Sequence, residues 1–141
     1  MDNSDIVITT GGLGPTTDDI TRETVAQVLG LKLIHDNEAE KAIRTRFRSM
    51  GRDVTENNLR QAKKPIGAEI ITNHHGTAPG LWLQCEGKII IMLPGPPHEL
   101  YPMFEKQVVP RLQSENVISE NEYYLQLRTI GVGESLLENN L

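Results

Sequence analysis

Apolar positions first cluster in residues 5–10, "DIVITT", a β-branched run that stops at Gly11 as a buried strand of a parallel sheet does. Helical spacing follows, with Thr21 as N-cap, Val25, Val28 and Leu29 as the apolar stripe and Gly30 as the stop. A second helix is expected over 37–50. Asn37 caps it, Ala39, Ile43 and Phe47 share one narrow face, and Gly51 ends it. Residues 55–63 read as a shorter third helix, stopped at "KKPIG" by Pro65 and Gly67. The period then changes. Residues 69–73, 81–85 and 88–93 are β-rich, and Glu86-Gly87 has the length of a tight hairpin turn, so the last two runs should pair antiparallel. After Leu93, Leu100, Phe104, Val108 and Leu112 recur at helical spacing. Pro102 is expected in the first turn of that helix, because deeper inside it removes a backbone bond.

Two segments share one logic. "TTGGLGPTTDD" at 9–19 and "LPGPPHE" at 93–99 each follow a strand, turn through glycine and proline, and reach acids where a helix begins. Ligands of parallel α/β sheets bind outside the carboxyl ends of strands, so the two loops are expected to be neighbours. Gly11, Gly12 and Gly14 let backbone N–H groups approach a ligand closely, which suits an anion such as phosphate. The spacing matches neither the P-loop nor the dinucleotide fingerprint. Asp18 and Asp19 would repel a phosphate unless a hard divalent cation lies between; the alternative is that one or both only satisfy the helix start. His74 and His75 are poor zinc candidates, since neighbours on a strand point to opposite faces and no third ligand is suitably spaced. Trp82 is a stacking platform or, more simply, core.

The 141 residues are enough for one ordinary domain, and with only 4% aromatics the core has to be mainly aliphatic. A net charge of −5 without a basic block argues against nucleic acid as a partner; Arg44, Arg46 and Arg48 read as a solvated helix face. The single cysteine, Cys85, reads as a buried thiol in a reducing compartment, and no leader or membrane-length apolar run is seen, so a cytoplasmic protein without membrane contact is expected.

"TGGLGPTTDDITRETVA", "GAEIITNHHGTAPGL" and "IIIMLPGPPHELYPMFE", in this order, resemble the N-terminal domain of the competence/damage-inducible protein A (CinA) family, related to the molybdopterin-binding MoaB/Mog fold. The resemblance implies a three-layer α/β/α domain with a mostly parallel sheet plus a β-hairpin, often a homodimer, over residues 1–118. It also implies that strands preceding this segment are missing and that 119–141 opens a small αβ domain, hence a chain truncated at both ends. Gly11, Gly12, Leu13, Gly14, Pro15 and Thr16 would form the phosphate loop, facing Pro94, Gly95 and Pro96, with Gly76 and Thr77 in a third loop beside the pocket. Asp18, Asp19 and Glu99 would carry catalysis and hold the metal, Mg²⁺; for Glu99 a simple helix-start role is the alternative. The implied activity is metal-dependent hydrolysis of ADP-ribose at its pyrophosphate. Alternatives are a molybdopterin-binding module of molybdenum cofactor biosynthesis, or a fragment without activity.

Overall fold

A computed structural model of the chain describes residues 4–118; the small domain expected from residue 119 lies outside them. The elements are β1 (Ile6–Thr10), α1 (Thr21–Val28), β2 (Leu33–His35), α2 (Asn37–Ser49), α3 (Glu56–Leu59) with a 3₁₀ turn (Arg60–Ala62), β3 (Lys63–Pro65), β4 (Glu69–Ile71), β5 (Gly80–Cys85), β6 (Lys88–Leu93), α4 (Pro97–Met103), a π-helical turn (Phe104–Val108) and α5 (Val109–Ser114).

The main sheet has the order β1-β6-β5-β4. The α/β class holds, while the sheet is mixed rather than mostly parallel among the described residues. β1 runs parallel to β6, from Ile6 opposite Ile89 to Thr10 opposite Leu93, and the β6–β5 and β5–β4 pairings are antiparallel. The Glu86-Gly87 turn that joins β5 to β6 has positive φ at both residues, 52° and 76°, the backbone of a tight two-residue hairpin. β2 and β3 form a separate two-stranded ribbon.

Alternation along β5 and β6 sends side chains to both faces, and both faces are covered. Leu81, Leu83, Ile90 and Met92 meet Val25 of α1 on one side. Trp82, Ile89, Ile91 and Leu93 meet Met103, Val108 and Leu112 of the C-terminal helical segment on the other. Cys85 is free and half-buried at the end of β5, less enclosed than its apolar neighbours suggested.

Several local expectations are corrected. Thr21 is the first helical residue and does not cap α1: its hydroxyl donates to the Gly11 carbonyl at 2.9 Å, tying the glycine loop to the helix. Val28 is 74% exposed, because the buried face of α1 is carried by Arg22 and Ala26. Lys63–Pro65, read as a helix breaker, is a strand whose proline lies at the end of a short ladder, where a missing N–H is tolerated. Pro102 sits at the sixth residue of α4 rather than in its first turn. Only one backbone bond is lost there, and burial of Met103, Val108 and Leu112 against the sheet holds the segment. Among the described residues no helix is long and apolar enough to cross a membrane.

Asp36, not Asn37, caps α2: its Oδ1 accepts the Ala39 N–H at 2.9 Å, and its Oδ2 lies 2.8 Å from Lys64 Nζ on β3. The Lys64 contact and the Ala39 amide hold this carboxyl below the usual aspartate range. A depressed folded value means that its stabilisation is complete above the ordinary range and is lost as pH falls through that range towards the folded value. Asp36→Ala should therefore cost about 1–2 kcal/mol at neutral pH. The gap between variant and parent should shrink at about pH 3, below the ordinary aspartate value. Urea unfolding at the two pH values measures it.

Candidate functional site

β1 and β6 are parallel neighbours, so the loops leaving their carboxyl ends start side by side. The Gly11 N–H continues the ladder to the Leu93 carbonyl at 2.8 Å. The two glycines then approach so closely that a Cβ placed on Gly95 would lie 3.4 Å from the Gly11 Cα. A cleft of about 320 Å³ opens between the loops. Gly11, Gly12, Leu13, Gly14 and Pro15 line one side, and Pro94, Gly95 and Pro96 the other. Thr77, Ala78, Asp19 and Glu99 complete it.

Backbone bonding divides the loop amides. The Gly11 amide is engaged by Leu93, and the Thr16 amide donates to Asp19 Oδ2 at 2.8 Å. Proline supplies no N–H at 15, 94 or 96. Among the described residues, the amides of Gly12, Leu13, Gly95 and Thr77 have no internal acceptor. These are the donors an anion would take.

The acids separate. Asp18 is exposed and does not line the cleft. Asp19 lines it, and its Oδ2 accepts both the amide and the hydroxyl of Thr16, the latter at 2.6 Å. Burial by itself would push the Asp19 carboxyl up. The Thr16 hydroxyl and amide, the Gly14 amide and the charge of Arg22 outweigh it and hold the group below its usual range. Asp19 is thus partly a loop partner, the role the alternative reading gave it, with both Thr16 bonds on Oδ2.

Glu99 stands at the opposite wall. Its Oε2 accepts from Asn73 Nδ2 at 2.6 Å, and its Oε1 lies 3.7 Å from His98 Nε2. Asn73 also donates to the Ala78 carbonyl at 2.8 Å and accepts the amides of His75 and Gly76, so a single side chain folds the 73–78 loop and fixes Glu99. Gly76 does not line the cleft; it backs Glu99, whose carboxylate occupies the space a Cβ at 76 would need. Thr16 likewise supports Asp19 from outside the lining. Among the described residues no three His, Cys, Asp or Glu side chains come together as a metal-holding group, so the trio Asp18, Asp19 and Glu99 reduces to a pair on one cleft.

Sequence reasoning missed Asn73 and Arg22. Asn73 follows a strand and resembles any turn residue. Arg22 looks like a surface charge at a helix start, yet it is buried, with Nη1 3.4 Å from the Gln61 carbonyl and Nε 3.8 Å from Glu23. Burial lowers its pKa, and the Glu23 carboxylate opposes that shift.

Comparison with known proteins agrees with this architecture. The sequence model of the family described as "Probable molybdopterin binding domain" matches residues 1–114. The chain is 49% identical over 137 residues to a competence-damage inducible protein of Caldanaerobacter subterraneus subsp. tengcongensis, covering 97% of this chain and 33% of that protein. It is 50% identical over 138 residues to a namesake from Thermoanaerobacter pseudethanolicus, covering 98% of this chain and 33% of that protein. The chain therefore spans about a third of the length of the curated relatives it matches. Among solved structures, CinA of unknown function from Thermoplasma acidophilum superposes with a TM-score of 0.70 at 36% identity, over 83% of this chain and 64% of that one.

Proposed function

Because the chain belongs to the family of probable molybdopterin-binding domains and is CinA-like over nearly its whole length, we propose that its cleft binds the diphosphate of a nucleotide-like ligand and that, with Mg²⁺, it hydrolyses ADP-ribose. The observation that carries this reading is the convergence of the 11–15 and 94–96 segments, with unengaged amides at Gly12, Leu13 and Gly95, on a cleft that also contains Asp19 and Glu99. Amides favour an anion, whereas two carboxylates repel it. A cation shared between carboxylates and phosphate reconciles them.

The donor set fits that ion. Mg²⁺ is commonly held by one or two carboxylates together with substrate phosphates and water, and Asp19 and Glu99 each turn one oxygen to a local partner, Thr16 and Asn73. Bound there, it would offset negative charge growing on the phosphate oxygens. The chain's own groups do the remainder. The amides of Gly12, Leu13 and Gly95 hold the diphosphate, Asn73 fixes the Glu99 carboxylate, and Glu99 accepts a hydrogen bond from the attacking water. Water adds to one phosphorus as the bridging oxygen leaves with the other, yielding AMP and ribose 5-phosphate.

AMP release from ADP-ribose, followed chromatographically with and without Mg²⁺, tests the reaction. Release should require the metal, and Glu99→Gln should slow it about a hundredfold. Absence of AMP under both conditions removes the hydrolase reading.

The family description supports a second reading, a molybdopterin-binding module. Calorimetric titration against molybdopterin and ADP-ribose separates the two by which ligand binds. The active form in either reading is a homodimer. β1 is an outer strand of the described sheet, and its unpaired backbone edge is one that a second copy would cover. Light scattering should return the mass of two chains.

A further inference from the structure

Arg44, Arg46 and Arg48 alternate in sequence, and the fold splits them. Arg46 donates from Nη2 to the His75 carbonyl at 3.1 Å and borders a cavity between α2 and residues 70–79. Arg44 and Arg48, one helical turn apart, instead line a separate hollow of about 610 Å³ with Gly51, Arg52, Asp53 and Val54. Arg52 reaches it because α2 ends in a left-handed turn. Gly51 has φ of 65°, its N–H donates to the Arg48 carbonyl at 3.0 Å, and the Arg52 N–H closes back on the Phe47 carbonyl at 3.1 Å. This glycine-dependent stop folds the chain across the last turn of its own helix. Three guanidinium groups thereby border one space.

Their charges are not neutralised inside the fold. Arg44 Nε donates to Glu40 Oε1 at 2.6 Å, but among the described residues the Arg48 and Arg52 guanidinium groups pair with no carboxylate and donate to no acceptor. Arg44, Arg48 and Arg52 are all exposed, so their N–H groups are open to a ligand. Like charges a helical turn apart repel, and Asp53 supplies one carboxylate against three cations. The negative end of α2 offsets part of that repulsion. A multivalent anion would offset the rest, since guanidinium forks take phosphate oxygens in pairs.

We infer that this hollow binds a chain of adjacent phosphates, as in a polyphosphate or the tail of a nucleoside triphosphate. It has no lining residue in common with the cleft between the glycine and proline loops, so it is a second anion site and does not depend on the proposed hydrolysis. A lone phosphate meets one or two forks, whereas a chain of phosphates can meet all three arginines. Nucleic acid is the poorer fit, because three arginines around one hollow are not a basic stripe and the chain carries a net charge of −5.

The test is a heteronuclear NMR titration of the chain with tripolyphosphate in about 0.15 M salt, where long-range attraction is screened. The Nε–H signals of Arg48 and Arg52 and the Gly51 amide should shift together along one saturation curve. Arg48→Gln combined with Arg52→Gln should weaken this binding at least about tenfold, the worth of one hydrogen bond to a charged group, as read from Gly51 and Arg44. Lys32→Gln combined with Lys63→Gln removes the same charge from exposed positions elsewhere and should change it less than about twofold. An unchanged amide spectrum outside residues 44–54 shows that each variant is folded. ATP carries the same phosphates on a nucleoside, and its ranking against tripolyphosphate separates a nucleotide tail from free polyphosphate. Shifts confined to the glycine and proline loops would overturn the inference while leaving the cleft standing. Equal losses in the two double variants would also overturn it, because general charge attraction then accounts for the binding. So would shifts at residues 44–54 produced by a polyglutamate peptide and not by tripolyphosphate, which would make the ligand an acidic protein segment.

Discussion

Trp82→Ala is expected to lower the free energy of unfolding by about 3–5 kcal/mol. The indole is 1% exposed at the centre of the cluster formed by Ile71, Ile91, Leu93, Met103 and Val108. Its ring also carries the Arg111 guanidinium, 4.2 Å from the centroid, and Arg111 in turn holds Glu69 through two bonds of 2.8 and 2.9 Å. Alanine would leave a cavity beneath the C-terminal helical segment and remove the surface on which Arg111 lies. Against a total stability of about 5–15 kcal/mol this is a large fraction. Trp82→Phe is the informative companion. It keeps an aromatic face and deletes an indole N–H that has no partner among the described residues, so it should cost less than about 1.5 kcal/mol. Unfolding is best followed by circular dichroism, since Trp82 is the sole tryptophan. A loss below about 1 kcal/mol in Trp82→Ala would mean that the ring does not organise the core.

Gly12→Ala should strike both stability and binding. Gly12 has φ of 70°, a region in which a side chain is strained, and a Cβ there would overlap the Thr21 hydroxyl and come within 3.3 Å of the Thr21 amide nitrogen. Relief requires Thr21 to move, which breaks its 2.9 Å bond to the Gly11 carbonyl and shifts the loop relative to α1. Backbone strain and overpacking together should cost about 4 kcal/mol. In whatever fraction stays folded, phosphate-ligand affinity should fall more than about tenfold, because the Gly12 and Leu13 amides move with the loop. Denaturant unfolding and calorimetry at low temperature read the two effects separately. A variant with parental stability would show that the loop is not pinned by Thr21.

What could be read from residues alone follows the range over which each signal acts. The β5–β6 hairpin is written in two apolar runs and a two-residue turn, and it forms as read because pairing, turn and burial all agree. α2 is legible for the same reason, although its cap moves one residue to Asp36, where a neighbouring strand supplies Lys64. The β2–β3 ribbon was not legible. Each strand is three residues long, and the pairing is decided by α2 and the 3₁₀ turn that bring residues 33–35 and 63–65 together. At the site, the neighbouring of the two loops was legible from strand-end logic, and the inequality of Asp18 and Asp19 was not. Two adjacent acids on a loop differ only in which one the fold turns inward, and the Thr16 bonds turn Asp19.

The chain itself determined its class, its hairpin, its glycine and proline loops and the order in which they occur, because periodicity and turn chemistry act over a few residues. Tertiary structure alone decided that β4 joins the sheet antiparallel to β5, that Arg22 is buried, that Asn73 fixes Glu99 and that Arg46 borders a cavity. Those outcomes depend on surfaces brought together across tens of residues, where burial and unmet hydrogen bonds outweigh local preference.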